Sequence, residues 1–504
     1  MKNDSIRDTI QSFPEETVTI TSKVDPECGI SGLQKALEGG PIVLFERIKG
    51  FPGTRAVGNV FARRERIARI FDTDDYQQLK LKCLNAIRNP IAPRVVDDAP
   101  CQEVVITKDI NVRDTIPILK HSERDADRIL GGGIILLTGE YAHNGTEVSF
   151  KRMRFRQDWA TITFGLTTHT EQALTTEFRG RKVPLTINIA PPPAVMVAAA
   201  TGYVHSVVPF GSDEMGIAGA VQGSPVEMVK AKTVDAYACA QSEWVIEGYV
   251  DTTKKEWETE EAEKIGRSGV APFFPEWHGY LGRAYRNLTF QATAITHRKD
   301  SPIFYDPLAR SIDADVMAGP LREACFLEMA ERIAPGLVID VNIIPGIASW
   351  SAFAVFQVCK RRRRDEGVQR TILINALAAS PALQLAIVVD EDINVNSAED
   401  LLWAIITRTD SEDFIRSPIN RGLGVIPIER IRPGTGVVGG GSEFFTPGGL
   451  AIDATVPFEQ KAAFERAHYP SYRIDLKEWL SDADISKAKS LQSALAKYLA
   501  ATGR

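Results

Sequence analysis

Residues 242–250, with the sequence Ser-Glu-Trp-Val-Ile-Glu-Gly-Tyr-Val, constrain the fold more than any other part of the chain. The Trp, Val, Ile and Tyr residues are typical of a buried strand. Side chains alternate along a strand, so Glu243, Val245 and Glu247 would share one face, and a helix would also put both acids on one side. Two carboxylates in an apolar space need a cation or a proton from elsewhere in the chain. On these residues alone, a salt bridge and a catalytic role are equal alternatives.

The composition predicts a soluble protein of two or three domains, because 504 residues are too many for one core. A net charge of −6 argues against a nucleic-acid partner. The six cysteines form no CxxC pair, which favours reduced thiols and a cytoplasmic location. The first residues are polar, and the longest apolar region contains three consecutive prolines. We therefore expect neither a signal peptide nor a membrane partner.

Hydrophobic patterning predicts three regions, at 1–115, 116–315 and 316–504. The first mixes short apolar runs with a helical stretch over residues 63–81, as in a small α/β module. The second is rich in short strands separated by Gly and Pro, which indicates a barrel or a sandwich.

Helices are expected within the middle region at residues 171–177 and 225–240. The third region alternates helix and strand again. Its predicted elements are a helix at 321–333, strands at 338–344 and 385–389, and a helix that begins at Ser397.

Several other residues carry possible chemistry, although each also has a structural explanation. Strand alternation would put Glu147, Ser149 and Lys151 on one face, next to Arg152, whose guanidinium can bind a carboxylate in two places. In isolation this segment is typical of a solvated edge strand. His169, Glu214 and Lys360 are likewise either site residues or ordinary capping, loop and surface residues.

Taken together, these residues resemble the UbiD family of prenylated-FMN-dependent decarboxylases. The family has an Asn-x4-Arg segment, a histidine after a strand, a loop glutamate before a Gly-Ala run, an E-x-x-x-E-G strand and a phosphate-binding lysine. The matching positions, in the same order, are Glu147 with Arg152, then His169, Glu214, Glu243 to Gly248, and Lys360. Within the family, the chain is most similar to the branch that acts on aromatic acids, such as protocatechuate and gallate.

The resemblance implies an α/β (α+β) multidomain fold in which a central split β-barrel, like that of flavin reductases, lies between two α/β domains. It implies prenylated FMN as the cofactor, held by Glu147, Ser149, Phe150, Arg152, Thr168, His169, Glu214 and Lys360. Of these residues, Glu147, His169 and Glu214 would bind Mn²⁺ or Mg²⁺, which prefer oxygen ligands. A K⁺ site, a flavin prenyltransferase that supplies the cofactor, and a homodimer or homohexamer are also implied.

The resemblance further implies reversible, non-oxidative decarboxylation of an arene or heteroarene carboxylic acid. Arg152 and Glu243 would form an ionic network at the reacting centre. Glu247 would donate a proton to the carbon that loses CO₂, acting as a general acid. Which glutamate donates the proton is left open.

The sequence departs from the family pattern at several positions that bear on the substrate. Glu147 stands where an Asn is usual, and the E-G-P-F-G-E segment becomes residues 270–280. A histidine of the hydroxybenzoate branch is replaced by residues 306–310, and a G-G-G-K loop is replaced by residues 345–350. These last two changes make a phenolic substrate doubtful, and an aromatic CoA thioester such as phthaloyl-CoA becomes an alternative.

An FMN-dependent oxidoreductase is the alternative from another enzyme class. Residues 434–439 match the G-x-G-x-x-G spacing of a dinucleotide fold, but prolines and further glycines surround them where a strand and a helix are needed. We therefore interpret this segment as a loop, and the absence of a nicotinamide motif weighs against the oxidoreductase.

Overall fold

The computed structural model describes residues 3–164, 168–201, 204, 206–346, 352–380, 383–417, 449–467 and 469–492. The chain divides into two compact units. The first comprises Met1–Lys360 and Gly367–Thr455, and the second comprises Arg361–Glu366 and Val456–Arg504. The described part of the second unit contains short 3-10 turns and one α-helix. All of the predicted site residues belong to the first unit.

The secondary structure of the described residues is mixed. The strands are β1 Thr17–Val24, β2 Ile42–Ile48, β3 Arg55–Gly58, β4 Arg94–Val96, β5 Val104–Ile106, β6 Leu130–Thr138, β7 Thr146–Phe155, β8 Trp159–Ile162, β9 Lys182–Ile189, β10 Glu227–Lys230, β11 Tyr237–Cys239, β12 Trp244–Trp257, β13 Pro272–Pro275, β14 Leu281–Arg283, β15 Arg286–His297, β16 Ile303–Tyr305, β17 Val338–Asn342, β18 Phe353–Val358, β19 Leu385–Asp390, β20 Phe414–Arg416 and β21 Leu450–Ala454. The α-helices are α1 Ile6–Ser12, α2 Gly29–Ala36, α3 Arg64–Ile70, α4 Tyr76–Arg88, α5 Val112–Thr115, α6 His169–Thr175, α7 Pro193–Ala199, α8 Glu214–Gln222, α9 Glu260–Ile265, α10 Ile312–Ile333, α11 Val368–Ala379, α12 Ala398–Arg408 and α13 Asp482–Leu491.

A closed antiparallel barrel forms the centre of the first unit. Its six strands follow the order β12-β9-β6-β7-β8-β15, and β15 pairs with β12 to close the ring. Strand β5 adds to β15 outside the ring. Closure leaves the barrel without a free edge along its paired strands. The predicted central barrel is thereby confirmed.

Both faces of β12 are buried, which explains its nearly continuous apolar sequence. Trp244, Ile246 and Val250 belong to a core cluster shared with the neighbouring barrel strands. Val245 packs on the opposite face with a smaller cluster that includes residues of β10 and β11. The two glutamates on that second face are therefore enclosed by protein, and each needs a polar partner there.

Strand β12 contains an irregularity immediately after Glu247. Glu247 pairs with Ala294, whereas the next residue, Gly248, pairs with Ala292. A Cβ atom at Gly248 would lie 2.1 Å from the backbone oxygen of Gln291. Glycine at this position therefore allows the close approach of two strands that a bulge requires.

A second sheet flanks the barrel on the N-terminal side of the chain. It has the order β1-β2-β3-β16, with β1 parallel to β2 and β16 parallel to β3. The predicted helical stretch over residues 63–81 is present as two helices, α3 and α4, separated by a turn.

A third sheet, β17-β18-β19-β21-β20, carries the last strands of the first unit. Long helix α10 is buried over nearly its whole length and packs against α4 and β17. The predicted strands at 338–344 and 385–389 and the Ser397 cap are present. Helix α10 begins at Ile312 rather than at the predicted residue 321, because Ser311 caps it and Gly319-Pro320 lies inside it.

The helix predicted over residues 225–240 was wrong. This segment forms β10 and β11, and β10 pairs in parallel with β4. The partner strand lies more than a hundred residues earlier in the chain, so local sequence carries no sign of the pairing. No helix among the described residues has both the length and the apolar character that a bilayer crossing requires.

Candidate functional site

A cleft opens beside the first half of β7, and we call it the β7 cleft. It is lined by residues 147–151 of β7, residues 168–170 at the start of α6, residues 199–201 after α7, and Glu214 at the start of α8. The empty space in the cleft, including the part that is open to solvent, amounts to about 630 Å³. Strand β7 pairs with β8 only from Met153 onward, so its earlier residues face the cleft.

Most of the predicted cofactor-binding residues line this cleft. They are Glu147, Ser149, Phe150, Thr168, His169 and Glu214. Strand, loop and helix ends far apart in the sequence are thus brought together. The first three share a single strand, whereas the others reach the cleft only because α6 and α8 pack beside that strand.

The two cleft carboxylates are buried and close to each other. The backbone N–H of Gly211 donates to Glu147 Oε1 at 3.4 Å, and the N–H of Val148 donates to Glu214 Oε2 at 2.6 Å. Burial raises the pKa of Glu147 to about 7. Burial, and then repulsion from Glu147, raises the pKa of Glu214 well above its ordinary value. Two buried carboxylates that repel each other are stabilised by a cation that binds near them.

His169 begins α6 at the mouth of the cleft. The preceding residue, Thr168, caps the helix by accepting a hydrogen bond from the N–H of Glu171 at 3.3 Å. The imidazole of His169 packs edge-on against Phe210, with 6.0 Å between the ring centroids. Within the described residues, no three His, Cys, Asp or Glu side chains lie in the arrangement of a metal site. The metal role of Glu147, His169 and Glu214 therefore stays a prediction.

Lys151 is a cleft residue that the sequence interpretation did not include in the site. Its side chain is buried, and its ammonium lies 5.6 Å from the centre of the Phe164 ring. Burial lowers the pKa of Lys151 to about 8, although Glu147 and Glu214 oppose the shift. The alternation of Glu147, Ser149 and Lys151 along β7 was the sequence signal for it.

Arg152 lies on the other face of β7 and forms a second, ionic cluster. Its guanidinium pairs with Glu276 through Nη1 and with Glu258 through Nη2, the latter at 3.3 Å. It also lies over the ring of Phe273, 4.7 Å from the ring centre. Burial alone would lower the pKa of Arg152, but the two acids outweigh it and raise the pKa.

Glu258 is the more enclosed of the two acids. Its side chain is 1% exposed, and it accepts hydrogen bonds from Thr163 Oγ1 at 2.5 Å, the N–H of Tyr285 at 2.6 Å and Asn287 Nδ2 at 2.9 Å. Glu276 is 12% exposed. Because its oxygens are occupied by protein donors, Glu258 can orient Arg152, whereas Glu276 is better placed to meet a ligand.

Neither acid of this cluster was included among the predicted site residues. Glu276 follows β13 and ends the segment that corresponds to the family's E-G-P-F-G-E, so the resemblance contained a signal for it. Glu258 directly follows the end of β12 and had no such signal.

Glu243 is not a partner of Arg152, and the pairing predicted from the sequence was wrong. Its buried carboxylate receives two hydrogen bonds from Arg7, Nε to Oε1 and Nη2 to Oε2, each of 2.7 Å. The backbone N–H of Ile303 donates to it at 2.9 Å, and Arg298 lies 3.4 Å away. Glu243 thus ties the N-terminal helix α1 to the barrel.

Glu247 is likewise held by backbone and side-chain donors. Lys232 N–H donates to Oε1 at 2.9 Å, and Thr233 donates to Oε2 through both its N–H and its Oγ1 at 2.7 Å. Within the described residues no ion pair joins Arg152 to Glu247 or to Glu243. Although the two glutamates are only four residues apart, Glu247 stabilises the loop between β10 and β11, whereas Glu243 holds the N-terminal segment.

Lys360, the predicted phosphate anchor, lies outside the described lining of the β7 cleft. Its Nζ donates to Thr455 Oγ1 at 3.0 Å, just after β21. The lysine is almost fully buried, at 1% exposure. Its expected contact with a cofactor phosphate stays a prediction.

Asp306, which stands where the hydroxybenzoate branch has a histidine, lies beside a histidine from another part of the chain. Its Oδ2 is 3.3 Å from His121 Nε2 and accepts from the N–H of Gly131 at 3.1 Å. Burial alone would lower the pKa of His121, but Asp306 and Asp125 outweigh it and raise the pKa to about 9. Residues 347–350 and the loop at 434–439 lie outside the described residues.

Comparison with known proteins assigns the family. Models of the 3-octaprenyl-4-hydroxybenzoate carboxy-lyase match the chain at residues 13–81 (N-terminal domain), 94–309 (Rift-related domain) and 315–430 (C-terminal domain). Gallate decarboxylase from Lactiplantibacillus plantarum is 30% identical over 488 residues, which cover 92% of this chain and 95% of the relative. The chain belongs to the UbiD family of carboxy-lyases. The resemblance inferred from the sequence is confirmed.

Solved UbiD-class structures have the same fold. HmfF from Pelotomaculum thermopropionicum in complex with FMN aligns with a TM-score of 0.78 at 26% identity, over 94% of this chain and 100% of that chain. An evolved dimeric form of HmfF in complex with prFMN aligns with a TM-score of 0.77 at 26% identity, over 95% and 100%. The apo 3,4-dihydroxybenzoic acid decarboxylase from Enterobacter cloacae aligns with a TM-score of 0.79 at 26% identity, over 96% and 99%.

Proposed function

We propose that this UbiD-family protein releases CO₂ from an aromatic carboxylic acid with prenylated FMN as its cofactor. The observation that carries the proposal is the buried Arg152, held between Glu258 and Glu276. It lies on the same strand as the residues that line the β7 cleft. A cofactor cleft and an acid–arginine–acid cluster therefore share one strand. The names of the relatives, gallate and 3,4-dihydroxybenzoic acid decarboxylases, support an aromatic acid.

The residues of the β7 cleft fit a flavin mononucleotide. Ser149 Oγ is buried without a hydrogen-bond partner, and Lys151 contributes a buried cation. These donors suit the polar groups of such a cofactor. Prenylated FMN, when bound, supplies the electron sink that accepts the electron pair left by the departing carboxylate. Glu147, His169 and Glu214 would hold Mn²⁺ or Mg²⁺ at the phosphate end; a K⁺ site has no assigned residues.

The ionic cluster supplies the charge and the proton for the reaction. The positive charge of Arg152 would attract and orient the substrate's carboxylate. Glu276 would donate a proton to the ring carbon that loses CO₂, in place of Glu247. Glu258 would hold the guanidinium in position. In the reverse direction Glu276 would act as the base.

The proposal also covers where the enzyme works, what supplies its cofactor and how it assembles. All six cysteines are free thiols, in agreement with a cytoplasmic enzyme. A flavin prenyltransferase would supply the cofactor. A homodimer or homohexamer is the proposed assembly, and an evolved form of HmfF is described as dimeric.

The test is co-expression with a flavin prenyltransferase, mass spectrometry of the bound cofactor, and CO₂ release from a panel of arene acids, heteroarene acids and aryl-CoA thioesters. We expect to recover prenylated FMN from the protein and to detect CO₂ release from at least one free aromatic acid. Recovery of unmodified FMN with NADH turnover would instead identify an oxidoreductase. Release from thioesters alone would identify the CoA alternative.

A pair of variants tests the residue assignment. Glu276→Gln should retain the bound cofactor but lower the rate of CO₂ release at least about 100-fold, the usual contribution of a general acid. Glu247→Gln is the matched control, and its rate should stay within about threefold. If Glu247→Gln alone abolishes release and H/D exchange at the product carbon, the proton donor is Glu247.

A further inference from the structure

Lys151 is the one lysine or arginine on the described lining of the β7 cleft. It follows Glu147 and Ser149 on the same face of β7, since side chains two residues apart point the same way. Its side chain is 6% exposed. A buried ammonium of this kind costs free energy unless an anion or several hydrogen bonds compensate it.

That compensation is absent from the protein itself. Within the described residues, Lys151 Nζ forms no hydrogen bond, and no carboxylate oxygen lies close enough to Nζ to form an ion pair. Glu147 and Glu214 nevertheless act on its charge through space. The ammonium and the two carboxylates therefore face the same cleft across a gap.

A gap between an ammonium and two carboxylates suits an anion bound together with a divalent cation. The carboxylates would take the cation, and the ammonium would take an oxygen of the anion. Ser149, between Glu147 and Lys151 on the strand, adds a buried hydroxyl without a hydrogen-bond partner. A phosphate group offers both kinds of contact at once.

We propose that Lys151, together with Ser149, binds the phosphate of the flavin mononucleotide in the β7 cleft. This inference rests on the proposed function, and it assigns to Lys151 a contact that the sequence predicted for Lys360. Lys360 donates instead to Thr455 and is not on the described lining of the cleft. Lys151 is thus a specificity residue for the phosphorylated flavin.

The test compares FMN with riboflavin, which lacks only the phosphate, by isothermal titration of the purified apoprotein with Mn²⁺ present. Wild type should bind FMN more tightly than riboflavin. In Lys151→Met the ratio of the two dissociation constants should fall at least tenfold, with the riboflavin affinity changed less than threefold. Lys151→Arg should keep most of the ratio, because it retains the charge. Lys360→Met is the matched variant at another buried lysine.

The outcomes separate this inference from the proposed function. A lower ratio in Lys151→Met supports the phosphate contact, whatever Lys360→Met shows. An unchanged ratio in Lys151→Met overturns it, and so does an equal loss of affinity for FMN and for riboflavin in that variant. A variant that loses affinity only for an aromatic carboxylate would show that Lys151 binds the substrate instead. If wild type binds no FMN, the proposed function falls as well.

Discussion

The pairing of Arg7 with Glu243 can be broken to ask whether Glu243 is structural or catalytic. Glu243 has no exposed side-chain surface, and Arg7 covers it with two charged hydrogen bonds of 2.7 Å. Removing one partner of a buried ion pair costs about 3–5 kcal/mol. Arg298 and the Ile303 N–H remain beside the carboxylate, so we expect the lower end, about 3 kcal/mol, for Arg7→Ala.

The expected change in melting temperature follows from the size of the chain. Unfolding entropy is about 2.1 cal/mol/K per residue, which gives roughly 1 kcal/mol/K for 504 residues. Arg7→Ala should therefore lower Tm by about 3 °C in scanning calorimetry. Lys49→Ala, which breaks an exposed ion pair of the same 2.7 Å length, is the control and should leave Tm unchanged.

A double-mutant cycle completes this test. Glu243→Gln alone should also lower Tm. The double variant Arg7→Ala/Glu243→Gln should be no less stable than the less stable of the two single variants, because the two substitutions remove the same interaction. Each variant should release CO₂ at a rate within about threefold of wild type per folded enzyme. The reasoning fails if Glu243→Gln abolishes CO₂ release while Tm stays unchanged, since that result would place Glu243 at the reacting centre.

Two further predictions concern stability. The folded-state pKa of His121, about 9, exceeds the ordinary value of 6.5. Its contribution to the free energy of unfolding is therefore complete below pH 6.5 and is lost as the pH rises through 9. That contribution is on the order of 3 kcal/mol. His121→Gln should flatten the pH dependence of unfolding in that window, and a loss of stability as steep as in wild type would contradict the assignment. Gly248→Ala should destabilise the barrel by at least about 2 kcal/mol, because its Cβ would meet the Gln291 oxygen at 2.1 Å. Gly32→Ala, with open space at its Cβ inside α2, should instead stabilise by up to about 1 kcal/mol in the same melts.

Local pattern was sufficient for strand residues of the β7 cleft. Alternation predicted that Glu147 and Ser149 share a face, and both line the cleft. It also predicted that Glu243 and Glu247 point to the same side of one strand, where both are buried. These predictions succeed because side-chain direction in a strand depends only on position parity.

Local pattern failed where a distant segment supplies the partner. Residues 227–230 form a strand because β4 lies beside them. Strand β16, Ile303–Tyr305, follows all the barrel strands in the sequence and yet pairs with β3 of the N-terminal sheet. Helix α10 extends before Pro320 because Ser311 caps it. In each case a tertiary contact or a cap outweighs the weak preference of the local sequence.

The sequence by itself determined the family, the barrel fold and six of the residues that line the β7 cleft. It also showed that two buried acids needed partners. Only the tertiary structure decided which buried charges pair with each other: Arg7 lies 236 residues from Glu243, and Glu276 lies 124 residues from Arg152. A buried charge is stabilised by whichever opposite charge lies within a few ångströms, and that distance is set by barrel closure rather than by separation along the chain.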